Sequence, residues 1–216
     1  MADEATGDES IEEARYIDAA RRGDLSAFNW LVLRYQVRVY NLCYRMLSDP
    51  DAAADATQEA FLSAYKAIGR FKGGHFRAWV LRIASNACLD MLRSRKRKPT
   101  QSIYSQERGE DELEPLPIAD TDPFVDPEAQ ALTAEMTATI QMGLNTLPDD
   151  QRIALILVDV QGYSYEEAAE ISNSNLGTLK SRINRARSKM RDYLREAGVI
   201  SASGEQDSRA ERSISE

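Results

Sequence analysis

Five prolines, at positions 99, 115, 117, 123 and 127, stand in a 30-residue stretch where the helical spacing of apolar residues fails. Proline has no backbone N–H, fixes its own φ, and pushes the residue before it out of the helical region. No long helix can run through residues 99–128. On both sides apolar residues recur at intervals of three and four, the pattern of helices that bury one face. The chain is therefore expected to fold as two small all-α units joined by a tether. Few glycines and few β-branched runs agree with an all-α class.

The first unit reads as four helices over about 11–98. A short helix covers about 11–22 and ends at Gly23, and Asp24 is placed to cap the next one. There Phe28, Leu31, Val32, Tyr35, Val39, Leu42, Cys43, Met46 and Leu47 form one long apolar stripe. Asp49 and Pro50 open a third helix, as cap and first helical residue. Its apolar face is Ala53, Ala56, Ala60, Phe61, Ala64 and Ile68, and its other face shows Asp51, Asp55, Gln58 and Glu59. After the loop Lys72-Gly73-Gly74-His75, a fourth helix runs from Phe76 to about Arg95. It is expected to bury Phe76, Val80, Ile83, Ala84, Ala87 and Met91. Four helices with short connections make a bundle. Residues 1–10 are acidic and read as disordered, as do 198–216.

The second unit, about 129–197, also holds four helices. Leu132, Met136, Ile140 and Leu144 mark the first, and Pro148 to Gly162 bound the second. Ser164 followed by Glu167 is a capping box opening a helix of two turns. The turn "SNSN" leads into a last helix, about 176–195, that buries Leu179, Ile183, Ala186, Met190 and Leu194. A short capped helix, a polar turn and a longer helix form a helix-turn-helix, whose second helix enters the DNA major groove. With Leu179 and Ile183 inward, Ser181, Asn184 and Arg185 point outward. Lys180 and Arg187 lie on one flank, with Arg182 and Lys189 on the other. Cations at the sides suit phosphates, and hydrogen-bonding groups at the centre suit base edges.

Charge supports this division. The net charge is −8, yet residues 70–98 carry nine cations against Asp90, and 176–195 carry seven against Asp192. The tether has nine acids and one cation, Arg108. Two basic segments in an acidic chain imply polyanion contact at two places. Arg82, Asn86, Asp90, Arg93 and Arg97 share one face of the fourth helix, beside Trp79. The tether reaches ~100 Å at full stretch but spans ~30 Å as a coil, so it does not fix the gap between the two contacts. Something larger is expected to hold both units, and the acidic face Asp51, Asp55, Gln58, Glu59 is a candidate docking surface. The acidic N-terminus and tether are further expected to cover the basic helices in the free protein.

The segments "DATQEAFLSAYKAIGRF", "FRAWVLRIASNACLDMLRSRKRKP", "LPDDQRIALILVDVQGYSYEEAAE" and "GTLKSRINRAR" resemble, in order, regions 2.2, 2.3–2.4, 4.1 and 4.2 of the extracytoplasmic function (ECF) group of bacterial sigma-70 factors. The resemblance implies a protein that binds core RNA polymerase, both the β′ clamp helices and the β subunit, and directs promoter recognition and opening. It implies a region 2 domain over 11–98 and a region 4 domain over 129–197. Asp51, Asp55, Gln58 and Glu59 would meet the clamp helices. Lys72, His75, Arg82, Asn86, Asp90 and Arg93 would read the −10 element, and Lys180, Ser181, Arg182, Asn184, Arg185 and Arg187 the −35 element. A partner anti-sigma factor is also implied. The sequence departs from the family at Asn173 and Asn175, where Gly and Pro are frequent. Asn tolerates a left-handed turn and caps helices, so the motif is expected to survive.

The alternatives are a stand-alone helix-turn-helix regulator and a metal-dependent nuclease. The first needs a dimer interface or ligand domain, which the sequence does not show. The second has only His75 and the acids Glu107, Glu110, Asp111 and Glu112 as material. Cys43 and Cys88 read as reduced core thiols. No enzyme activity, metal or cofactor is expected. No export signal or membrane span is visible, so a cytoplasmic location is expected.

Overall fold

The structure, a computed structural model, describes residues 2–97 and 127–200. The tether expected at 99–128, except its last two residues, which open a helix, and most of the tail lie outside the described residues. Eight α-helices are present among those described: α1 Ala2–Arg21, α2 Leu25–Leu47, α3 Pro50–Ala67, α4 Phe76–Arg97, α5 Pro127–Asn145, α6 Asp149–Leu155, α7 Tyr165–Ile171 and α8 Leu176–Glu196. The division into four and four is the one expected from the sequence.

Capping residues set the joints of the first module. Asp24 accepts from the N–H groups of Ser26 and Ala27 at 2.9 and 3.1 Å and starts α2. Asp49 accepts from Ala52 N at 3.1 Å and starts α3, with Pro50 at the first helical position. Ala53, Ala56, Ala60 and Ala64 are fully buried, so α3 lies close against its neighbours. Phe71, Phe76 and Trp79 cluster with ring centroids 5.1–5.9 Å apart and pin the loop before α4. The Tyr35 hydroxyl donates to Glu13 at 2.7 Å and ties α1 to α2. Burial and that carboxylate push the Tyr35 hydroxyl up to about 12.

Two local expectations shift. Helix α1 begins at Ala2 rather than near 11. In α4 the buried face centres on Leu81, Ala84, Ser85 and Cys88, while Ile83, Ala87 and Met91 are only partly buried. The helix is covered on one side by the bundle and on another by the second module, so a single stripe does not describe it. Cys43 and Cys88 are free thiols in the core.

In the second module α6 widens into one π turn, Ile156–Val160, closed by Gln161 N donating to Ile156 O at 2.9 Å. Leu157, Ile171, Leu179 and Ile183 are fully buried beside it. Gly143 of α5 lies against α8: a Cβ there would meet Met190 Sδ and Tyr193 Cδ1 at 2.8 Å.

The two modules pack against each other. Arg152 of α6 is buried, and its guanidinium donates to Met46 O at 2.7 Å, Asn145 O at 3.0 Å and Leu147 O at 3.3 Å. It joins the carboxyl ends of α2 and α5, where the helix dipoles favour a cation. Gln141 Nε2 donates to Arg45 O at 3.0 Å and to Ser48 Oγ at 2.8 Å, and Ser48 donates to Asn145 at 2.6 Å. Helix α4 meets α7.

Candidate nucleic-acid and docking surfaces

The turn before α8 is built as the two asparagines allow. Asn173 takes a left-handed φ of 48°, and Asn175 caps α8 by accepting from Thr178 N at 2.7 Å. Ser164 accepts from Glu167 N at 3.2 Å, and the Glu167 carboxylate accepts from Ser164 N at 3.0 Å, completing the capping box of α7. These caps use backbone groups that a helix end leaves unpaired and hold α7 and α8 in a fixed pose. Leu179, Ile183 and Ala186 point into the core, and Lys180, Asn184 and Arg185 are exposed.

The other three residues expected on this surface are engaged inside the second module. The Ser181 hydroxyl donates to Thr178 O at 2.8 Å. Arg182 pairs with Asp150 at 3.0 Å. Arg187 forms a fork with Asp159, with Nε to Oδ2 at 2.8 Å. The carboxylate holds the Arg187 guanidinium above its ordinary range. The sequence did not signal the Arg187 pair, because only the π turn places Asp159 under α8.

On α4, Asn86 and Asp90 are exposed and Arg82 is partly exposed. Arg93 pairs with Asp90 at 2.9 Å. Lys72 and His75 are exposed in the loop, where Gly73 and Gly74 adopt φ near 95°. Three further cations of this helix have partners: Arg95 with Asp49 at 3.1 Å, Lys96 with Asp149 at 2.6 Å and Arg77 with Glu167 at 2.9 Å. The last two partners belong to the second module. Two of the acids covering α4 in the described residues therefore come from α6 and α7, and a third, Asp49, from the start of α3. The covering role expected of the N-terminus and tether lies outside the described side chains. Between α4 and the helix-turn-helix lies a polar cleft of about 740 Å³, lined by Asn86, Arg93, Lys96, Asp149, Asn175 and Arg182.

The docking face is exposed as expected: Asp51, Asp55, Gln58 and Glu59 all face outward on α3. Beside it runs an apolar groove of about 620 Å³ between α2 and α3, lined by Leu25, Val37, Tyr40, Leu62 and Tyr65, with Gln58 at its rim. Sequence reasoning took only the acids. The signal it passed over is that Leu25, Val37 and Leu62 lie off the buried stripes and are 55, 45 and 46% exposed. Among the described residues no group of three or more His, Cys, Asp or Glu is placed to hold a metal ion. No described helix is long and apolar enough to cross a membrane.

Comparison with known proteins agrees with the order of the two modules. The family model for Sigma-70 region 2 matches residues 31–98, and that for Sigma-70 region 4 matches 138–190. The RNA polymerase sigma-H factor of Pseudomonas aeruginosa is 37% identical over 82% of this chain and 90% of its own length. The ECF RNA polymerase sigma factor SigW of Bacillus subtilis is 36% identical over 83% and 95%. Among solved structures, the sigma factor RpoE in complex with the anti-sigma factor NepR, from Bartonella quintana, is 25% identical at a TM-score of 0.59, covering 79% of this chain and 98% of that one. The chain belongs to the ECF sigma factors, the RNA polymerase sigma factors that carry sigma-70 regions 2 and 4.

Proposed function

We propose that this sigma factor docks on core polymerase through α3 and reads promoter DNA with α4 and α8. The docking partner has an apolar ridge for the α2–α3 groove and basic flanks for Asp51, Asp55 and Glu59, with Gln58 at the boundary; the β′ clamp helices are the core element assigned to it. Lys180, Asn184 and Arg185 reach base edges and phosphates of the −35 element. Ser181 sits beside them, and Arg182 and Arg187 brace α8 from below. Asn86 and Asp90 face the −10 element, with Lys72, His75, Arg82 and Arg93 around them. Capturing unstacked bases there offsets the few kcal/mol that unpairing costs. The protein contributes no covalent chemistry and works in the cytoplasm, where polymerase and genome are. An anti-sigma factor is expected to hold it inactive.

The observation that carries this reading is the exposed set Lys180, Asn184, Arg185 on a fully capped helix-turn-helix, in a chain whose other module offers an acidic, groove-bearing face. Run-off transcription with purified core polymerase on a genomic promoter library tests it. Specific transcripts that depend on two spaced elements are expected. Transcription no better than with core alone removes the reading, and a symmetric footprint without polymerase would favour a stand-alone regulator.

A further inference from the structure

A second cleft between the modules has no place in promoter or polymerase binding as described above. It encloses about 300 Å³ and is lined by Arg38, Tyr44 and Arg45 of α2, Arg77 of α4, and Gln161 and Tyr163 of the segment between the π turn and α7. Three arginines contribute to its lining. Arg77 has one carboxylate, Glu167, and its Cζ lies 4.6 Å over the Tyr163 ring. Arg45 is half-buried and donates only to the neutral Gln141 Oε1, at 3.3 Å. Neither Arg38 nor Arg45 has a carboxylate at ion-pairing distance among the described residues. The cleft thus carries three cations and one anion in partly desolvated surroundings, where like charges repel more than in water. Burial holds the Arg45 guanidinium below its ordinary range.

One more group is left without a partner. Gln161 donates through Nε2 to Arg38 O at 3.3 Å, but its Oε1 is buried and accepts no hydrogen bond. An acceptor in that position suits a ligand that brings a hydroxyl or amine as well as negative charge.

We propose that this cleft binds a small diphosphate-bearing molecule, a nucleoside diphosphate or pyrophosphate, which holds the two modules together. Arginine takes phosphate oxygens through paired N–H donors, and two or three negative charges match the surplus. The volume is at the lower end for ligand sites and suits a ligand of this size. Because α2 and α4 form one wall and the α6–α7 segment the other, the ligand binds the packed arrangement and loses its site when the modules part. It therefore opposes the separation that frees Arg77 and Lys96.

The full chain is titrated with inorganic pyrophosphate and with GDP by calorimetry and thermal unfolding, at ionic strength held constant with sodium chloride. Saturable binding to one site is expected, with Tm raised by about 5–10 °C at a hundredfold excess over Kd. Tighter binding of GDP than of pyrophosphate assigns a role to the nucleoside and Gln161, and equal binding assigns the site to the diphosphate alone. Arg38→Ala, at an exposed position that leaves the core intact, and Arg45→Gln are each expected to weaken binding at least tenfold. Lys66→Ala, an exposed cation elsewhere, should leave it unchanged. The proposal is overturned if neither ligand saturates, if sulfate at equal ionic strength acts as well, or if Arg38→Ala binds like wild type. Loss of DNA or core binding in Arg38→Ala with no change toward either ligand would also overturn it, by assigning these arginines to the macromolecules.

Discussion

Helices α4 and α8 are both rich in cations, but their partners differ in origin. On α8 the flanking arginines are held within their own module, Arg182 by Asp150 and Arg187 by Asp159. Lys180, Asn184 and Arg185 are exposed. On α4 two of the flanking cations, Arg77 and Lys96, are held by Glu167 and Asp149 of the other module. The ion pairs of α8 are therefore set whether or not the modules touch. Arg77 and Lys96 lose these partners only when the modules separate. Under the proposed function, α8 meets DNA with its arginines already braced, and α4 gains two further free cations when the modules part.

The sharpest way to break this comparison is Arg185→Ala. A well-placed arginine contact to a base edge is worth about 1–3 kcal/mol, or roughly 5- to 150-fold. Run-off transcription from promoters with a −35 element should fall by that much, while core association measured by gel filtration stays unchanged. An equal loss with Lys66→Ala would show that the exposed α8 residues have no special part.

The next largest effect is expected from Arg152→Ala. It strips donors from Met46 O, Asn145 O and Leu147 O, and a buried acceptor left unpaired costs about 1–3 kcal/mol. The modules should part, seen as a larger radius of gyration in solution scattering and a lower Tm. Unchanged compactness would mean that the α4–α7 contacts suffice without this latch.

Releasing the ion pairs alone should do less. Asp149→Asn with Glu167→Gln removes both acids from α4, and Gln at 167 still serves the capping box. Partly exposed pairs are worth about 0–1 kcal/mol each, so core-free DNA binding should tighten by up to about fivefold per pair at low salt. The gain should fade as salt rises. No change at any salt would separate DNA access from these two contacts.

Much of this was legible in the sequence because it is local. The stripe of α2, the Asp24, Asp49 and Ser164 caps, and the tolerance of Asn173 and Asn175 all depend on residues within a turn or two. The contacts that sequence reasoning missed join distant residues. Arg152 sits in "DDQRIALIL" like a solvated helix cation, and only the packing of α6 on the end of α2 buries it. Asp159 reaches Arg187 because a π turn, which has no spacing signal, rotates it under α8. The α2–α3 groove escaped for a related reason. Several of its apolar residues, Leu25, Val37, Leu62 and Tyr65, are off the main stripes, and periodicity counts only what a stripe contains. The packing of one module on the other escaped because a tether of undefined span says nothing about it.

The smallest expected effect concerns the one carboxylate that serves both helices. Glu167 caps α7 and pairs with Arg77 of α4. The Ser164 backbone N–H is the main group holding its carboxyl below the ordinary carboxylate range, and the Ser164 side chain and Arg77 add to this against an opposing effect of burial. A carboxyl whose value in the folded chain lies below that in the unfolded chain stabilises the fold above the unfolded value. That stabilisation is lost as pH falls through the folded value. Wild type should thus exceed Glu167→Gln in Tm by a constant margin at neutral pH, and the margin should shrink once pH passes below the ordinary glutamate value of 4.5. The same acid range should release Arg77, so compactness in solution scattering should loosen in parallel for wild type and stay flat for Glu167→Gln. A margin that survives unchanged to pH 3 would mean that the shape of the Glu167 side chain, rather than its charge, ties the start of α7 to α4.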